Sequence, residues 1–168
     1  MKKNRRIQIG VLGASSPSRE IARAAERVGE LIAEKGATLV CGGLGGVMEA
    51  AAKGAAKAGG LVIGVLPGAD PGEANAFVSA AVATGMGHAR NAIIVRSSDA
   101  AIAVGGGYGT LSEIALAMKC GVPVVGYKTW DAHGEGGLAA PGITADSPEE
   151  AVEKAFEEAR IRSRRSSR

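Results

Sequence analysis

The sequence is poor in aromatic side chains. One Trp, two Tyr and two Phe make up 3% of its 168 residues, so a buried core has to be built from Ala, Val, Ile and Leu. Cysteine is as scarce. Cys41 and Cys120 cannot form a disulfide framework, and they fit a reducing compartment. The two histidines, His88 and His133, stand in no Cys/His spacing of a zinc site, so no metal site is expected. No apolar run reaches the roughly eighteen residues of a membrane span, which leads to the expectation of a cytoplasmic protein that does not enter the membrane. The basic start followed by Ile7–Ala14 is broken by Gly10 and Gly13, so it reads as a first strand rather than a secretory leader. Three fingerprints are also missing. No GxGxxG follows that strand, there is no GxxxxGK followed by Ser or Thr, and there is no GxSxG. Their absence argues against a simple dinucleotide enzyme, a P-loop ATPase and a serine hydrolase of the elbow type.

Charge of one sign is missing from each end. Residues 1–6 hold four cations and no acid, and residues 160–168 hold five cations and no acid. The chain has 20 Lys and Arg against 17 Asp and Glu, a net +3, so the body between the two ends carries −6. A pI of about 9.0 therefore reflects two basic ends and no basic face. Nucleic acid is not expected as a partner. Residues 1–6 read as a basic arm, 7–160 as one domain, and 161–168 as a disordered basic tail.

Short apolar runs alternate with helical spacing. Strands are expected at Ile7–Leu12, Thr38–Cys41, Leu61–Leu66, Phe77–Ala83, Ala100–Val104, Val122–Tyr127 and Ile143-Thr144. Ser16-Pro17 reads as a helix N-cap with Pro in the first position, and Gly36 as that helix's stop. Further helices are expected at Val47–Ala58, Gly87–Arg96 and Thr110–Cys120. A capping box at Ser147-Pro148-Glu149-Glu150 opens a last helix to about Arg160. Residues 131–142 show no placeable pattern. Apolar strands separated by helices imply an α/β fold: a Rossmann-like, doubly wound, mainly parallel sheet of about six or seven strands with helices on both faces. In such a sheet ligands bind beyond the carboxyl ends of the strands. The loops Gly13–Ser16, Gly42–Gly46 and Gly105–Thr110 fall at that edge.

Glycine is the residue in excess, at 26 positions. Two glycine loops, GGLGG at 42–46 and GGGYG at 105–109, each follow a strand and open a helix. Such glycines serve tight turns and close packing, or they let backbone N–H groups approach an anion. Two loops this rich favour a phosphate cradle. The candidate binding residues are Gly13, Ser15, Gly42, Gly43, Gly45, Gly46, Arg90, Asn91, Gly106, Gly107, Gly109 and Thr110. Glu113 has two readings. It closes a capping box on Thr110, or it stabilises positive charge developing on a ribose. Arg90 is a surface arginine or a bidentate phosphate ligand. Trp130 and Tyr108 are packing residues or stack on a base or pterin.

The stretches GGLGGVMEAA (42–51), GHARN (87–91) and GGGYGTLSE (105–113) resemble the Rossmann-like SLOG superfamily, over about residues 7 to 155. This superfamily groups LOG-type, "lysine decarboxylase-like" and DNA processing protein A-related proteins with molybdenum cofactor carriers. Residues 89–91, 102–107, 123–126 and 129–130 look most like the molybdenum cofactor carrier-like family. The resemblance implies binding of a phosphorylated pterin, the molybdenum cofactor (molybdopterin), by a homo-oligomer (dimer or tetramer). It places Gly42, Gly43, Gly45, Gly46, Gly106, Gly107, Gly109 and Thr110 around the cofactor's phosphate or molybdate. The alternative it implies is a LOG-type phosphoribohydrolase, which releases free base and ribose 5-phosphate from a nucleoside 5′-monophosphate. In that case Arg90 and Glu113 would be catalytic. Gly105 stands where those enzymes have Pro, Asn91 where they have Lys, and their Trp-x-x-Gln-Leu-Gly pattern is missing after Glu113. Nothing in the chain offers a pyridoxal phosphate site, so lysine decarboxylation is not expected.

Overall fold

The computed structural model describes residues 5–165. The first strand, β1 (Gln8–Gly13), leads into α1 (Arg19–Glu34), and β2 (Thr38–Cys41) into α2 (Val47–Lys57). Then follow β3 (Leu61–Leu66), β4 (Ala80–Ala83), α3 (Asn91–Ser97), β5 (Ala100–Val104), α4 (Tyr108–Lys119) and β6 (Val124–Tyr127). A small hairpin, β7 (Ala132–His133) and β8 (Ala139–Ala140), precedes β9 (Ile143–Ala145) and α5 (Pro148–Arg165). Seven strands form one sheet in the order β4-β3-β2-β1-β5-β6-β9, and every neighbouring pair is parallel. This is the expected Rossmann-like doubly wound fold. Among the described residues no helix is long and apolar enough to cross a membrane.

Alternate residues of the central strands feed two cores. Ile9, Val11, Leu39, Val62, Ile102 and Val104 pack with α1, α2 and α5. Leu12, Val40, Val65, Ala101 and Ala103 pack with α3 and α4. Small residues set how closely the layers approach. A Cβ at Gly29 of α1 would lie 1.9 Å from the Ala51 carbonyl oxygen of α2, and one at Gly54 of α2 1.8 Å from that of Glu26 in α1. The two helices therefore cross backbone to backbone. Lys53 and Lys57 bridge the same pair to Glu26, at 3.1 and 2.7 Å.

Some local expectations need correction. The cap of α1 is Ser18, whose hydroxyl accepts the Ile21 N–H at 3.3 Å. Pro17 thus precedes the helix instead of opening it. Residues 87–90 form a separate 3₁₀ turn ahead of α3. α4 begins at Tyr108 with Gly107 as its cap, so Thr110 is the third helical residue and forms no capping box with Glu113. α5 continues past Arg160 to Arg165. Its last turns are tied down because Arg162 donates to the Ser98 carbonyl at 2.6 Å. Half of the box at its start forms as expected, the Glu150 N–H on Ser147 Oγ at 3.1 Å, while the Glu150 carboxylate takes the N–H of Asp146, one residue before the cap, at 2.7 Å. Of the basic arm, Arg5 pairs with buried Asp99 at 2.9 Å. Its first four residues, and residues 166–168 of the tail, lie outside the described residues.

Candidate functional site

The strand order reverses between β1 and β5. β1 leads away through β2, β3 and β4, whereas β5 returns to its other side. Loops leaving neighbouring strands at such a point diverge and open a crevice at the carboxyl edge. Gly13 at the end of β1 lies level with Val104 at the end of β5. The three loops expected at the site, after β1, β2 and β5, therefore meet there.

The carbonyls of both glycine loops are pinned by side chains from neighbouring segments. Asn75 donates its amide to the carbonyls of Gly43 (3.2 Å) and Leu44 (2.9 Å), and its own N–H to Gly43 O at 2.9 Å. On the other loop, Thr129 Oγ1 donates to Gly105 O and Trp130 Nε1 to Gly107 O at 3.0 Å. A trans peptide holds its N–H opposite its carbonyl. Each clamp therefore turns the N–H of Leu44, Gly45, Gly106 and Tyr108 away from itself. Sequence reasoning missed Asn75, because a lone Asn in a polar loop signals nothing about what it holds.

The glycines sort into two kinds. At Gly13 a Cβ would strike Val47 at 2.4 Å, and at Gly43 it would strike Leu66 at 2.8 Å. At Gly46, with φ +72, it would strike the Ala14 carbonyl at 2.4 Å. The same Ala14 carbonyl accepts the Val47 N–H at 3.0 Å, so the start of α2 is already capped by the first loop. Gly106 is closed by Thr110, which is itself 2% exposed. Gly107 and Gly109 differ. They alone among the 26 glycines combine an ordinary φ with no atom from elsewhere in the chain, adjoining residues and the backbone of α4 aside, within 4 Å of the place a Cβ would occupy. Gly45 comes close, with only Glu49 Oε2 at 3.8 Å. Ser15 is exposed beside these loops, and Asn91 is half-buried at the start of α3.

Arg90 lies on Gly42. A Cβ there would be 2.4 Å from Nη1 and 2.7 Å from Nη2 of the guanidinium. The residue is only 7% exposed, and its Nε has no hydrogen-bond partner. Burial makes it hold its proton less strongly, while the charge of Glu113 works the other way. Glu113 is half-buried on α4. Its carboxyl is pushed up to about 7 by burial, against the pull of Arg90. The buried Cys41 thiol next to Gly42 is pushed up to about 11, also by burial, so it stays a neutral thiol. The arrangement is a buried cation with unspent donor capacity, a carboxyl poised near neutrality, and two pinned turns. It is suited to an anion held by backbone N–H groups and one guanidinium.

The SLOG cluster4 family matches residues 6–159. The chain belongs to that family. An uncharacterized protein of Archaeoglobus fulgidus is 60% identical over 122 residues, 73% of this chain and 80% of that one. The solved structure of the molybdenum cofactor binding protein from the phototrophic bacterium Rippkaea orientalis superposes with a TM-score of 0.80 at 36% identity, covering 92% of this chain and 98% of that one. A probable cytokinin riboside 5′-monophosphate phosphoribohydrolase of Oryza sativa is 38% identical over 112 residues, 64% of this chain and 46% of that one. The match thus spans about half of the rice protein.

Proposed function

We propose that residues 7–160 of this SLOG protein form a carrier-like domain that binds a phosphorylated cofactor, the molybdenum cofactor, at the carboxyl edge of the sheet. The observation that carries this reading is the bare backbone at Gly107 and Gly109. Glycine at the second position of a helix costs up to about 1 kcal/mol relative to Ala. Here neither φ nor packing requires it. The open space over the start of α4 is where an anion would meet the N–H groups of that helix's first turn. The cargo's phosphate or molybdate would be held there and by Gly42, Gly43, Gly45 and Gly46, with Arg90 supplying the positive charge. Chain-wide likeness to a molybdenum cofactor binding protein at 36% identity supports the choice of cargo. The reading includes a cytoplasmic homo-oligomer, dimer or tetramer, which sedimentation would size. Mass spectrometry of ligands copurifying with the protein, with a molybdenum assay on the same sample, tests it. A phosphorylated pterin supports the carrier. A protein that neither carries such a compound nor slows oxidation of added cofactor is not one.

A second reading is favoured by one observation, the Glu113 carboxyl near neutrality in the field of buried Arg90. In a nucleoside 5′-monophosphate site Arg90 would anchor the phosphate. Ionised Glu113 would stabilise the oxocarbenium-like charge as the N-glycosidic bond breaks, water completing the hydrolysis to free base and ribose 5-phosphate. The activity in the rice relative's name is of this class. Incubation with AMP separates the two readings. Release of adenine that disappears in Glu113→Gln supports the hydrolase, and binding without release supports the carrier.

A further inference from the structure

Of the five aromatic residues, four sit in or against the cores. Tyr127 and Phe156 are buried, Phe77 packs on one core and Trp130 on the other. Tyr108 is 84% exposed. Its place is specific. It opens α4, flanked by Gly107 and Gly109, the two glycines with open space over them. Its ring stands 5.6 Å from that of Trp130, tilted by 35°. Trp130 is fixed in turn by its hydrogen bond to the Gly107 carbonyl.

The turn that presents Trp130 is held at a cost. Lys128, which begins it, has φ +47, a conformation that is uncommon for a residue with a side chain. It is tied across to Glu20. The strain places Thr129 and Trp130 so that they take the carbonyls of Gly105 and Gly107. One strained turn therefore fixes both the glycine backbone and the aromatic pair beside it. Val104 and Cys41 end strands two places apart in the sheet. The two strands run about 10 Å apart, so the loop that carries Tyr108 and the loop that carries the Arg90–Gly42 contact open at the same edge of the sheet.

We infer that Tyr108, backed by Trp130, is the platform on which the planar heterocycle of the ligand lies, and is the residue that separates ring-bearing phosphates from bare ones. The inference rests on the anion-cradle reading above. It adds that the cradle takes a phosphomonoester joined to a flat nitrogen heterocycle, pterin or purine. Stacking is tolerant of which ring is present. Tyr108 thus sets the class of ligand, and the particular ring is decided elsewhere.

Calorimetric titration of the full chain with ribose 5-phosphate, AMP and neopterin monophosphate tests this, with nucleotide integrity followed by chromatography. The chain has one Trp, so tryptophan fluorescence reports on Trp130 alone. The ring-bearing probes are expected to bind about tenfold or more tighter than ribose 5-phosphate and to quench Trp130, whereas the sugar phosphate leaves it unchanged. Whichever of AMP and neopterin monophosphate binds tighter identifies the ring. Tyr108→Ala brings both down to the sugar-phosphate level without changing ribose 5-phosphate affinity, and Tyr108→Phe keeps the discrimination. Equal affinities in the wild type, or a Tyr108→Ala protein that weakens all three probes alike, overturns the platform. So does loss of self-association in that variant with discrimination intact, because the exposed ring would then be an oligomer contact. Failure of the wild type to bind any of the three probes sinks the cradle, and the platform with it.

Discussion

The first glycine turn, residues 42–46, and the second, residues 105–109, have nearly the same composition and open neighbouring sites at the same sheet edge. Their surroundings differ. The first is packed at three of its four glycines, by Arg90 on Gly42, Leu66 on Gly43, and Ala14 on Gly46, with Gly45 nearly open. The second is closed at Gly106 and open at Gly107 and Gly109. One turn uses glycine to let other parts of the protein in close, and the other leaves two glycines open, where the proposed ligand would lie. The largest effect should come from exchanging these roles. Gly46→Ala sets a Cβ 2.4 Å from a backbone oxygen at φ +72, and strain with overpacking should cost about 3 kcal/mol or more. Gly107→Ala at φ −104 should cost under about 1 kcal/mol, the difference between Gly and Ala as an N-cap. Urea unfolding of the two variants measures the contrast, and equal losses would erase it.

The next test separates binding from stability at the first turn. Arg90 is a buried cation whose Nε is unpartnered. Its burial is a cost to the fold that the charge of Glu113 offsets in part, and in the cradle reading a bound anion offsets the rest. Arg90→Met should leave stability unchanged or raise it by about 1 kcal/mol, as removal of under-compensated buried charge often does. Phosphate affinity should fall on the order of 100-fold, the loss of about 2–3 kcal/mol from charged hydrogen bonds. Arg90→Lys should recover little, because the fork is lost. A destabilised Arg90→Met protein that still bound phosphate would make Arg90 a structural residue.

Much of this was legible in the sequence. Thr38–Cys41, Leu61–Leu66 and Ala100–Val104 match β2, β3 and β5 to the residue, because strands buried on both faces are apolar throughout and end at glycine, proline or a polar residue. Helix starts were less legible. Ser16-Pro17 has the pattern of a cap and first position, yet the hydroxyl that takes a free helix N–H is that of Ser18, two residues on. The Thr110/Glu113 capping pattern misled because a glycine-rich turn can enter a helix with no side-chain cap at all. The motifs placed Arg90, Glu113 and both turns at one edge. They did not show which glycines were filled and which were open, since that depends on Val47, Leu66, Ala14 and Thr110 arriving from elsewhere in the chain. The clamp of Asn75 and the order in residues 131–142 were hidden for the same reason.

Glu113 offers a test by pH. Its carboxyl is raised to about 7 in the folded chain, against about 4.3 when unfolded. Between these values the folded state binds the extra proton. Stability should therefore be highest below about pH 4.5 as far as this group is concerned, decline as pH rises to about 7, and level off above it. Glu113 is half-buried, so the full shift is discounted for screening to about 1–2 kcal/mol. Glu113→Gln should flatten that decline in a series of thermal melts. Phosphate binding beside Arg90 should weaken above about pH 7 in the wild type, where the carboxylate repels the anion, and should not do so in the variant. A melt series with the same slope in both proteins would show that Glu113 is not the group concerned.

The smallest effect is the most discriminating, because stability and binding should move in opposite directions. Gly109 is the second residue of α4, with an ordinary φ and open space above it. Ala there should raise stability by about 0.5–1 kcal/mol through helix propensity and a less flexible unfolded chain, a gain of roughly 2–3 °C in Tm for a domain of this size. The same methyl group stands where the backbone would meet an anion, so phosphate affinity should fall about tenfold. No contact with another part of the chain is available to explain a loss of binding at that position. A Gly109→Ala protein that is more stable and binds as well as before would mean the open turn is bare without being a site. One that is more stable and binds poorly would show that the chain keeps glycine there for its ligand, at the expense of its own fold.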